Sequence, residues 1–282
     1  MLEQITPLIL TFNEAPNINR TLQRLSWANK IVVIDSYSSD ETLEILQSYP
    51  QVQIFQREFD THTNQCNYGL RQVKSEWVLS LDADYILTDD LIAEIDAIPK
   101  AALVDGYLVR FKYCVFGKSL SGTLLPPREV LFRREKAVYV DDGHTQLLRV
   151  NGKSGRLSSY IYHDDRKSLS RWLWAQDRYM MIEAKKLLET PVSELNFGDR
   201  VRRHKILAPF VILIYCLIIN RGILDGWAGW YYAFQRTLAE IFFSIRLIEA
   251  EKLRGKESPS QESKVRKTSP QGNRSRGGTS CA

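Results

Sequence analysis

The chain has 282 residues, of which 44% are hydrophobic and 25% charged, and its formal net charge is +5. This composition is typical of a globular protein and excludes a fibrous or wholly disordered chain. Basic and acidic residues balance up to residue 250, so the positive surplus lies in the tail 251–282, which is rich in serine, glycine and proline. We therefore expect no nucleic-acid partner, because the body of the protein has no basic surplus, and we predict that the tail is disordered.

The four cysteines form no Cys-x-x-Cys pair, which favours a reducing compartment and argues against a structural zinc site. The N-terminal segment has no basic region followed by a long apolar core, so no signal peptide is predicted. Both features are consistent with a cytosolic location.

The first third of the chain alternates strand and helix signals. Four apolar segments predict strands, at residues 7–12, 30–35, 51–55 and 76–82. Between them, the i, i+4, i+7 spacing of Ile18, Leu22 and Leu25 predicts a helix with one apolar face, and the same spacing recurs over 66–73. This alternation predicts an α/β fold whose parallel strands are joined by right-handed crossovers.

The remainder of the chain has a different pattern. Residues 100–165 contain strand signals without intervening helices, which predicts a mixed or antiparallel extension of the sheet. From Ser168 the periodicity is helical again, and a second long helix is predicted over about 228–250. We therefore predict an α/β domain over 1–165, a helical region over 166–250 and the basic tail over 251–282.

Three polar clusters follow the carboxyl ends of predicted strands, at Thr11–Glu14, Asp35–Asp40 and Asp82–Asp84. A parallel sheet would gather them into one crevice, where ligands of such sheets bind. An isolated Asp-x-Asp is more often a turn than a site. In this crevice, however, Asp82 and Asp84 favour a hard divalent cation, because Mg²⁺ and Mn²⁺ prefer carboxylate and phosphate oxygens. Asp35 either caps the next helix or accepts hydrogen bonds from a base or ribose.

Three segments, LILTFNEAPNI, IVVIDSYSSDET and EWVLSLDAD, occur in this order over residues 8–84. Together they resemble the N-terminal half of the family 2 glycosyltransferases, which have the GT-A nucleotide-diphospho-sugar transferase fold with a Rossmann-like mixed sheet. The DGH segment at 142–144 and the LDG-containing turn after an apolar helix are similar to the lipopolysaccharide-core β-glucosyltransferase-like branch. The resemblance implies a metal-dependent, inverting transfer from a nucleoside diphosphate sugar, usually a UDP-hexose, with Mn²⁺ or Mg²⁺.

The resemblance also implies roles for individual residues. It implies a nucleotide-binding loop at Thr11, Phe12, Asn13 and Glu14, a base or ribose contact at Asp35, a ribose contact at Asp82 and a metal ligand at Asp84. His163 ends a predicted strand, and a downstream histidine of this kind can complete the metal shell in GT-A enzymes. The alternative for His163 is an ordinary core residue.

An inverting transfer needs one general base to deprotonate the acceptor hydroxyl, a role that an ionised aspartate can fill. Asp141 and Asp142 are the only acids of the segment YVDDGHTQ, and we favour Asp142 because Gly143 allows a tight turn beside it. The alternative is an ordinary Asp-Asp-Gly turn. His144 is predicted to be a further polar contact to donor or acceptor. Relatives of this branch usually have Glu where this chain has Thr145, which leaves a catalytically inactive nucleotide-sugar-binding protein as the alternative function.

The apolar segment 206–219 would be about 21 Å long as a helix, which is shorter than the roughly 30 Å of membrane hydrocarbon. Basic residues flank it, at Arg200, Arg202, Arg203, Lys205 and Arg221, and aromatic residues follow at Trp227, Trp230, Tyr231 and Tyr232. This pattern predicts a helical hairpin over 206–250 that lies in one leaflet. We expect it to hold the protein on the cytoplasmic face of a membrane, with a lipid-linked saccharide as acceptor. The alternative is a helical lid packed on the catalytic domain.

Overall fold

The computed structural model describes residues 1–99, 103–122, 124–142 and 145–265. The strands are β1 (Ile5–Thr11), β2 (Ile31–Asp35), β3 (Val52–Gln56), β4 (Trp77–Asp82), β5 (Tyr85–Leu87), β6 (Gly106–Val115), β7 (Lys118–Ser119), β8 (Arg128–Arg133), β9 (Ala137–Asp142), β10 (Thr145–Val150) and β11 (Ser154–His163). The helices are α1 (Ile18–Gln23), α2 (Thr42–Gln47), α3 (His62–Gln72), α4 (Asp89–Asp96), α5 (Leu169–Glu189), α6 (Phe197–Arg203), α7 (Ala208–Ile214) and α8 (Trp227–Val265).

A mixed sheet of nine strands forms the centre of the molecule, with eight strands in the order β3-β2-β1-β4-β8-β6-β11-β5 and β7 paired with β6. The strands β3, β2, β1 and β4 are mutually parallel, and β8 runs antiparallel to both β4 and β6. The four predicted N-terminal strands and the mixed extension are therefore confirmed. Strands β9 and β10 form a separate antiparallel hairpin.

The sheet is covered on both faces, which is why its central strands are almost continuously apolar. Every residue of β2 is buried, and alternate side chains belong to two different cores. Ile31 packs in the core that contains Leu22 of α1. Val32 packs in the core that contains Leu70 of α3. The predicted apolar faces of both helices are thus confirmed as core contacts.

Gly69 allows α3 to lie close to β1. A β-carbon at this position would stand 2.6 Å from Cδ1 of Leu8 and 3.1 Å from Cγ1 of Ile34. A larger residue would require the Leu8 side chain to change its position or α3 to move. The glycine is therefore part of the close packing of α3 on β1.

The C-terminal helices pack on one another and on the far part of the sheet. One cluster joins α5 to α8 through Ala184, Leu187 and Phe243. After α7 the chain makes a π-helical turn over Tyr215–Ile219 and a short 3-10 turn over Gly222–Asp225 before α8 begins. The predicted helical hairpin is therefore present.

The turn of this hairpin is fastened to the β6–β7 hairpin. The carboxylate of Asp225 accepts hydrogen bonds from the backbone and the hydroxyl of Ser121, at 2.9 and 2.6 Å, and Lys118 donates to the Asp225 carbonyl at 2.7 Å. Cys216 and Tyr232 lie in one cluster with residues of β6 and the segment after β7. One face of the hairpin therefore packs on the α/β domain, as the lid interpretation expected.

The other face of the hairpin is open to solvent. Exposed fractions reach 79% for Ile206, 64% for Ile219 and 75% for Leu224. Of the predicted aromatic cluster, Trp227 and Trp230 are exposed, whereas Tyr232 is buried against Tyr113. None of the helices among the described residues has both the length and the apolar character needed to cross a membrane.

One expectation about the C-terminal region is corrected. Helix α8 does not end near residue 250 but continues to Val265, so the first part of the tail predicted to be disordered is helical. Two of the basic residues before α7 form ion pairs with this helix, Arg202 with Glu240 at 2.7 Å and Lys205 with Glu251 at 2.6 Å. Residues 266–282 lie outside the described part of the chain.

Candidate functional site

The three polar clusters meet at one edge of the sheet. Thr11 at the end of β1 pairs with Asp35 at the end of β2, and Leu10 pairs with Asp82 at the end of β4. Parallel strands end together, so the loops that follow them share one crevice. The predicted gathering of these clusters is confirmed.

Asp35 holds two of the loops together. Its carboxylate is fully buried and accepts hydrogen bonds from the Thr11 hydroxyl at 3.0 Å, from the Ser38 backbone at 2.9 Å and from the Ser38 hydroxyl. Gln56 donates to the same group at 3.4 Å. Direct contact between Asp35 and a nucleotide stays a prediction, and it would require some of these bonds to open.

The loop after β1 is shaped by the loop after β2. Asn13 has the positive φ of 56° that asparagine tolerates better than most residues. Its backbone donates to the Ser38 hydroxyl at 2.8 Å, and its side-chain oxygen accepts from the Ser39 backbone at 2.7 Å. These hydrogen bonds hold the loop after β1 against the loop after β2.

Phe12, in the same loop, is 41% exposed. The guanidinium of Arg171 lies 5.0 Å from the centre of its ring and 4.7 Å from that of Trp174. Because Arg171 and Trp174 belong to α5, this helix covers the loop from the outside. The predicted nucleotide loop thus has a cationic and aromatic wall.

Glu14 forms a buried ion pair with Lys167, with 2.8 Å between Oε1 and Nζ. Asn17 donates to the second carboxylate oxygen at 2.9 Å. Burial raises the pKa of Glu14 to about 7, although Lys167 opposes this change. Burial lowers the pKa of Lys167, but Glu14, Asp84 and Asp165 outweigh it and hold the pKa above its ordinary value. Lys167 therefore keeps its positive charge in the crevice at neutral pH.

The two predicted metal ligands are in contact. Nε2 of His163 lies 3.0 Å from Oδ2 of Asp84, and both side chains are largely buried. Burial raises the pKa of Asp84, but the charge of His163 and its hydrogen bond outweigh burial and lower the pKa to about 2. For His163, burial lowers the pKa, but Asp84 reverses the direction and raises it. The carboxylate is therefore ionised throughout the physiological range.

Each member of this pair also has a buried polar atom with no hydrogen-bond partner, Oδ1 of Asp84 and Nδ1 of His163. The unpartnered carboxylate oxygen and the imidazole are donors that Mn²⁺ accepts, so Asp84 and His163 would fit such an ion. Among the described residues, no three His, Cys, Asp or Glu side chains converge on one point, so diphosphate and water oxygens would supply the remaining ligands.

Asp82 ends β4 with an exposed side chain, which leaves it accessible to a ligand. The neighbouring Tyr85 is buried, and burial raises its pKa well above the ordinary value, with further contributions from the charges of Asp82 and Asp84 and a hydrogen bond to Asp82. Tyr85 also stacks edge-on against His163, with 5.2 Å between ring centres. It therefore supports both the Asp82 carboxylate and the His163 ring.

Sequence reasoning missed the segment that follows His163. Asp164 is buried and pairs with Arg20 at 2.6 Å and with Arg166 at 2.9 Å. Asp165 accepts a hydrogen bond from Asn17 at 2.9 Å. The signal was the run Asp-Asp-Arg-Lys directly after a strand, the same signal that identified Asp82 and Asp84. This run is what connects β11 to the loop after β1.

The candidate base lies at the end of β9. Asp141 is exposed, and Asp142 is the last residue of the strand, paired with Thr145 of β10. The side chain of Asp142 and the whole of His144 lie outside the described residues. The choice of base therefore stays a prediction.

Comparison with known proteins agrees with this geometry. The profile of Glycosyl transferase family 2 matches residues 8–151, just over half of the chain. An uncharacterized glycosyltransferase of Rickettsia bellii is 30% identical over 107 residues, covering 38% of this chain and 36% of the relative. The poly-beta-1,6-N-acetyl-D-glucosamine synthase of Staphylococcus epidermidis is 31% identical over 130 residues, covering 41% of this chain and 31% of the relative.

The match thus spans about a third of the length of these curated relatives. Among solved structures, TarS 1-349 of S. aureus in complex with UDP-GlcNAc is similar, with a TM-score of 0.48 and 17% identity over 89% of this chain and 92% of that one. The matched residues 8–151 include most of β1, all of β2 to β4 and the strand-end residues Asp35, Asp82 and Asp84, which agrees with the predicted GT-A-like α/β fold, whereas His163 and Lys167 lie beyond the match. The chain belongs to glycosyl transferase family 2.

Proposed function

We propose that this protein transfers a hexose, with inversion, from a nucleoside diphosphate sugar to a lipid-linked or cell-envelope saccharide, and that UDP is the nucleotide. The observation that carries the proposal is the Asp84–His163 pair, with its unpartnered carboxylate oxygen, beside the exposed Asp82. Family membership supports glycosyl transfer as the reaction class. The name of the S. epidermidis relative supports a glycan product. The DGH and LDG segments favour the lipopolysaccharide-core β-glucosyltransferase-like branch.

In this proposal Asp84 and His163 hold Mn²⁺ or Mg²⁺, which when bound offsets the negative charge of the diphosphate. Lys167 adds a permanent positive charge to the same crevice. Asp82, which is exposed at the end of β4, contacts the ribose. The loop from Thr11 to Glu14 receives the nucleotide against the wall made by α5.

Asp142 acts as the base. Its carboxylate takes the proton of the acceptor hydroxyl as that oxygen forms a bond to the anomeric carbon, and the bond from this carbon to the diphosphate breaks. Attack from the face opposite the leaving group inverts the configuration. His144 orients the acceptor or donor beside it.

The exposed face of the α7–α8 hairpin docks on the cytoplasmic membrane surface in this proposal. Large apolar side chains along α7 and the turn stand in water, and Arg221 and the two exposed tryptophans lie at the same turn. Such an arrangement of apolar, aromatic and basic residues favours binding in the interfacial layer. Docking there would bring the crevice to a lipid-linked acceptor.

The test is hydrolysis of a panel of nucleotide sugars in the presence and absence of Mn²⁺, with release of the nucleoside diphosphate as the readout. Metal-dependent release from one or more UDP-hexoses supports the proposal. Tight binding of a nucleotide sugar without release, with or without added saccharide acceptors, would instead favour the inactive binding protein. If the protein neither binds nor hydrolyses any nucleotide sugar, the transferase function and the binding function are both rejected.

A further inference from the structure

A second polar cavity lies beside the crevice, between α3 and the turn from β8 to β9. It is an open groove of about 640 Å³, and its lining includes Arg57, Arg71, Arg134, Asn64, Asn67 and Val138. The residues that line the groove include three arginines and no carboxylate, although the first 250 residues of the chain are electrically balanced. Guanidinium groups recognise phosphate and carboxylate with paired hydrogen bonds.

The arginines of the groove keep hydrogen-bonding capacity. Arg57 is occupied by Asp60, with two contacts of 2.8 Å. Among the described residues, Arg134 pairs with its exposed neighbour Glu135, at 2.9 Å, and its Nε is buried with no partner there. No described carboxylate pairs with Arg71, which is exposed in the last turn of α3. The groove therefore offers donors that the protein itself does not use.

The position of these groups is fixed by the fold. Tyr68 lies between Arg57 and Arg71, and each guanidinium carbon is 5.7 Å from the centre of its ring. Asn67 exchanges two hydrogen bonds with the backbone of Tyr139, at 2.9 and 3.0 Å, and so fastens β9 alongside α3. A ligand would meet a preformed surface, which lowers the entropic cost of binding.

Hydrogen bonds and one strand join the groove to the transfer site. The backbone of Arg57 donates to the Asp35 carbonyl at 3.0 Å, and Gln65 donates to Ser36 in the loop after β2 at 2.8 Å. From Val138 in the groove, β9 runs to Asp142, a distance of about 13 Å for four residues. A saccharide whose reacting hydroxyl lies at Asp142 would therefore reach the arginines with its next units.

We propose that this groove is an acceptor subsite for a saccharide that carries a phosphate or carboxylate group. The inference rests on the proposed glycosyl transfer and adds the class of its acceptor. A lipid headgroup is a less suitable occupant, because the exposed apolar surface lies on the α7–α8 hairpin and the groove is built by α3 and β9. The neutral part of the acceptor would lie along β9, and the anionic group would lie between Arg71 and Arg134.

The experiment uses the full chain with isotope-labelled valine methyl groups, and Val138 reports on the groove. Glucose 6-phosphate is the probe and glucose is its neutral control. We expect a saturable shift of the Val138 signal with the phosphate only, and about a tenfold or greater increase in Kd in the double variant Arg71→Gln/Arg134→Gln. Arg110→Gln, which removes an exposed arginine from the opposite part of the sheet, should leave this Kd unchanged.

Equal responses to glucose and glucose 6-phosphate, or an unchanged Kd in the double variant, would overturn the proposal. A Val138 shift with phosphatidylglycerol nanodiscs but not with glucose 6-phosphate would assign the groove to lipid and also overturn it. If the double variant does not fold, modification of wild-type arginines by phenylglyoxal decides the question. Glucose 6-phosphate should protect Arg71 but not Arg110, and equal modification of both would reject the subsite.

Mn²⁺-dependent binding of UDP is measured on the same samples. If UDP binds to none of them, the proposed transferase function fails while the Val138 titration still reports on the groove. If UDP binds normally and Val138 does not respond, only the acceptor subsite fails. The two proposals are therefore separable.

Discussion

Nε2 of His163 lies 3.0 Å from Oδ2 of Asp84, although 79 residues separate the two in the chain. The contact is set by the sheet, because β11 pairs antiparallel with β5 and places His163 opposite Tyr85. One buried atom on each side chain remains without a partner. A buried carboxylate oxygen that the protein leaves unsatisfied is costly for folding, which favours a ligand as its partner.

The first prediction concerns this pair. Asp84→Ala should abolish the Mn²⁺-dependent part of UDP binding, because only one protein ligand would remain. Calorimetry with Mn²⁺ and with a chelator measures this part of the affinity. Asp90→Ala, which removes an exposed carboxylate from α4, is the matched control and should bind as the wild type does. An unchanged metal-dependent affinity in Asp84→Ala, with an unchanged Tm, would show that the pair does not hold the ion.

The second prediction concerns the base. Asp142→Asn should lower kcat by roughly 10²–10⁴-fold, the usual contribution of a general base, and leave the affinity for the donor nearly unchanged. Steady-state kinetics with the hydrolysed or transferred sugar as readout tests this. Asp141→Asn is the control one residue away. Loss of turnover in Asp141→Asn alone would move the assignment to Asp141, and normal turnover in both would place the base elsewhere.

The third prediction concerns Glu14. Its pKa in the folded protein is about 7, against an ordinary value of 4.5. Between these pH values the folded state holds the proton and the unfolded state has released it. The free energy of unfolding therefore falls as pH rises through this window.

Glu14→Gln removes this titration. The difference in free energy of unfolding between the wild type and the variant should thus decrease from pH 4.5 to 7 and be constant above it. Urea denaturation at a series of pH values measures the difference, with Glu58→Gln as the control for loss of an exposed carboxylate. A difference that rises with pH would mean that the Lys167 charge outweighs burial.

The fourth prediction concerns the hairpin. Truncation before α7 is a poor test of membrane docking, because it would also remove the partners of Val115, Leu120 and Leu187 in two buried clusters. The double variant Ile219→Glu/Leu224→Glu changes only exposed side chains. It should reduce co-sedimentation with anionic liposomes at least about tenfold, because each change removes apolar contact with lipid and adds a repelled charge.

The matched control for this experiment is Ile182→Glu, which changes a side chain of α5 that is 47% exposed. It should bind liposomes as the wild type does. Equal binding by the wild type and the hairpin variant, or no binding by either, would contradict docking through this surface.

Much of the fold could be read from local patterns. Ile18, Leu22 and Leu25 predicted a buried helical face because the period of an α-helix brings these positions to one side, whatever the rest of the chain does. The strand ends at Thr11, Asp35 and Asp82 predicted the crevice because parallel strands end at a common edge. Hydrophobic periodicity and the change from apolar to polar residues at a strand end are properties of short segments. Both properties can therefore be recognised in the sequence without knowledge of the tertiary structure.

The sequence by itself thus determined the alternation of strands and helices, the position of the crevice and the residue types available in it. Only the tertiary structure decided which of these residues meet. Glu14 and Lys167 form their ion pair, and Arg57, Arg71 and Arg134 share their groove, because β11 and the β9–β10 hairpin return to the N-terminal half. The boundary of α8 was misjudged for a related reason, since its polar C-terminal part carries no apolar periodicity. Contacts between distant segments depend on sheet order and register, and no local spacing of side chains encodes either.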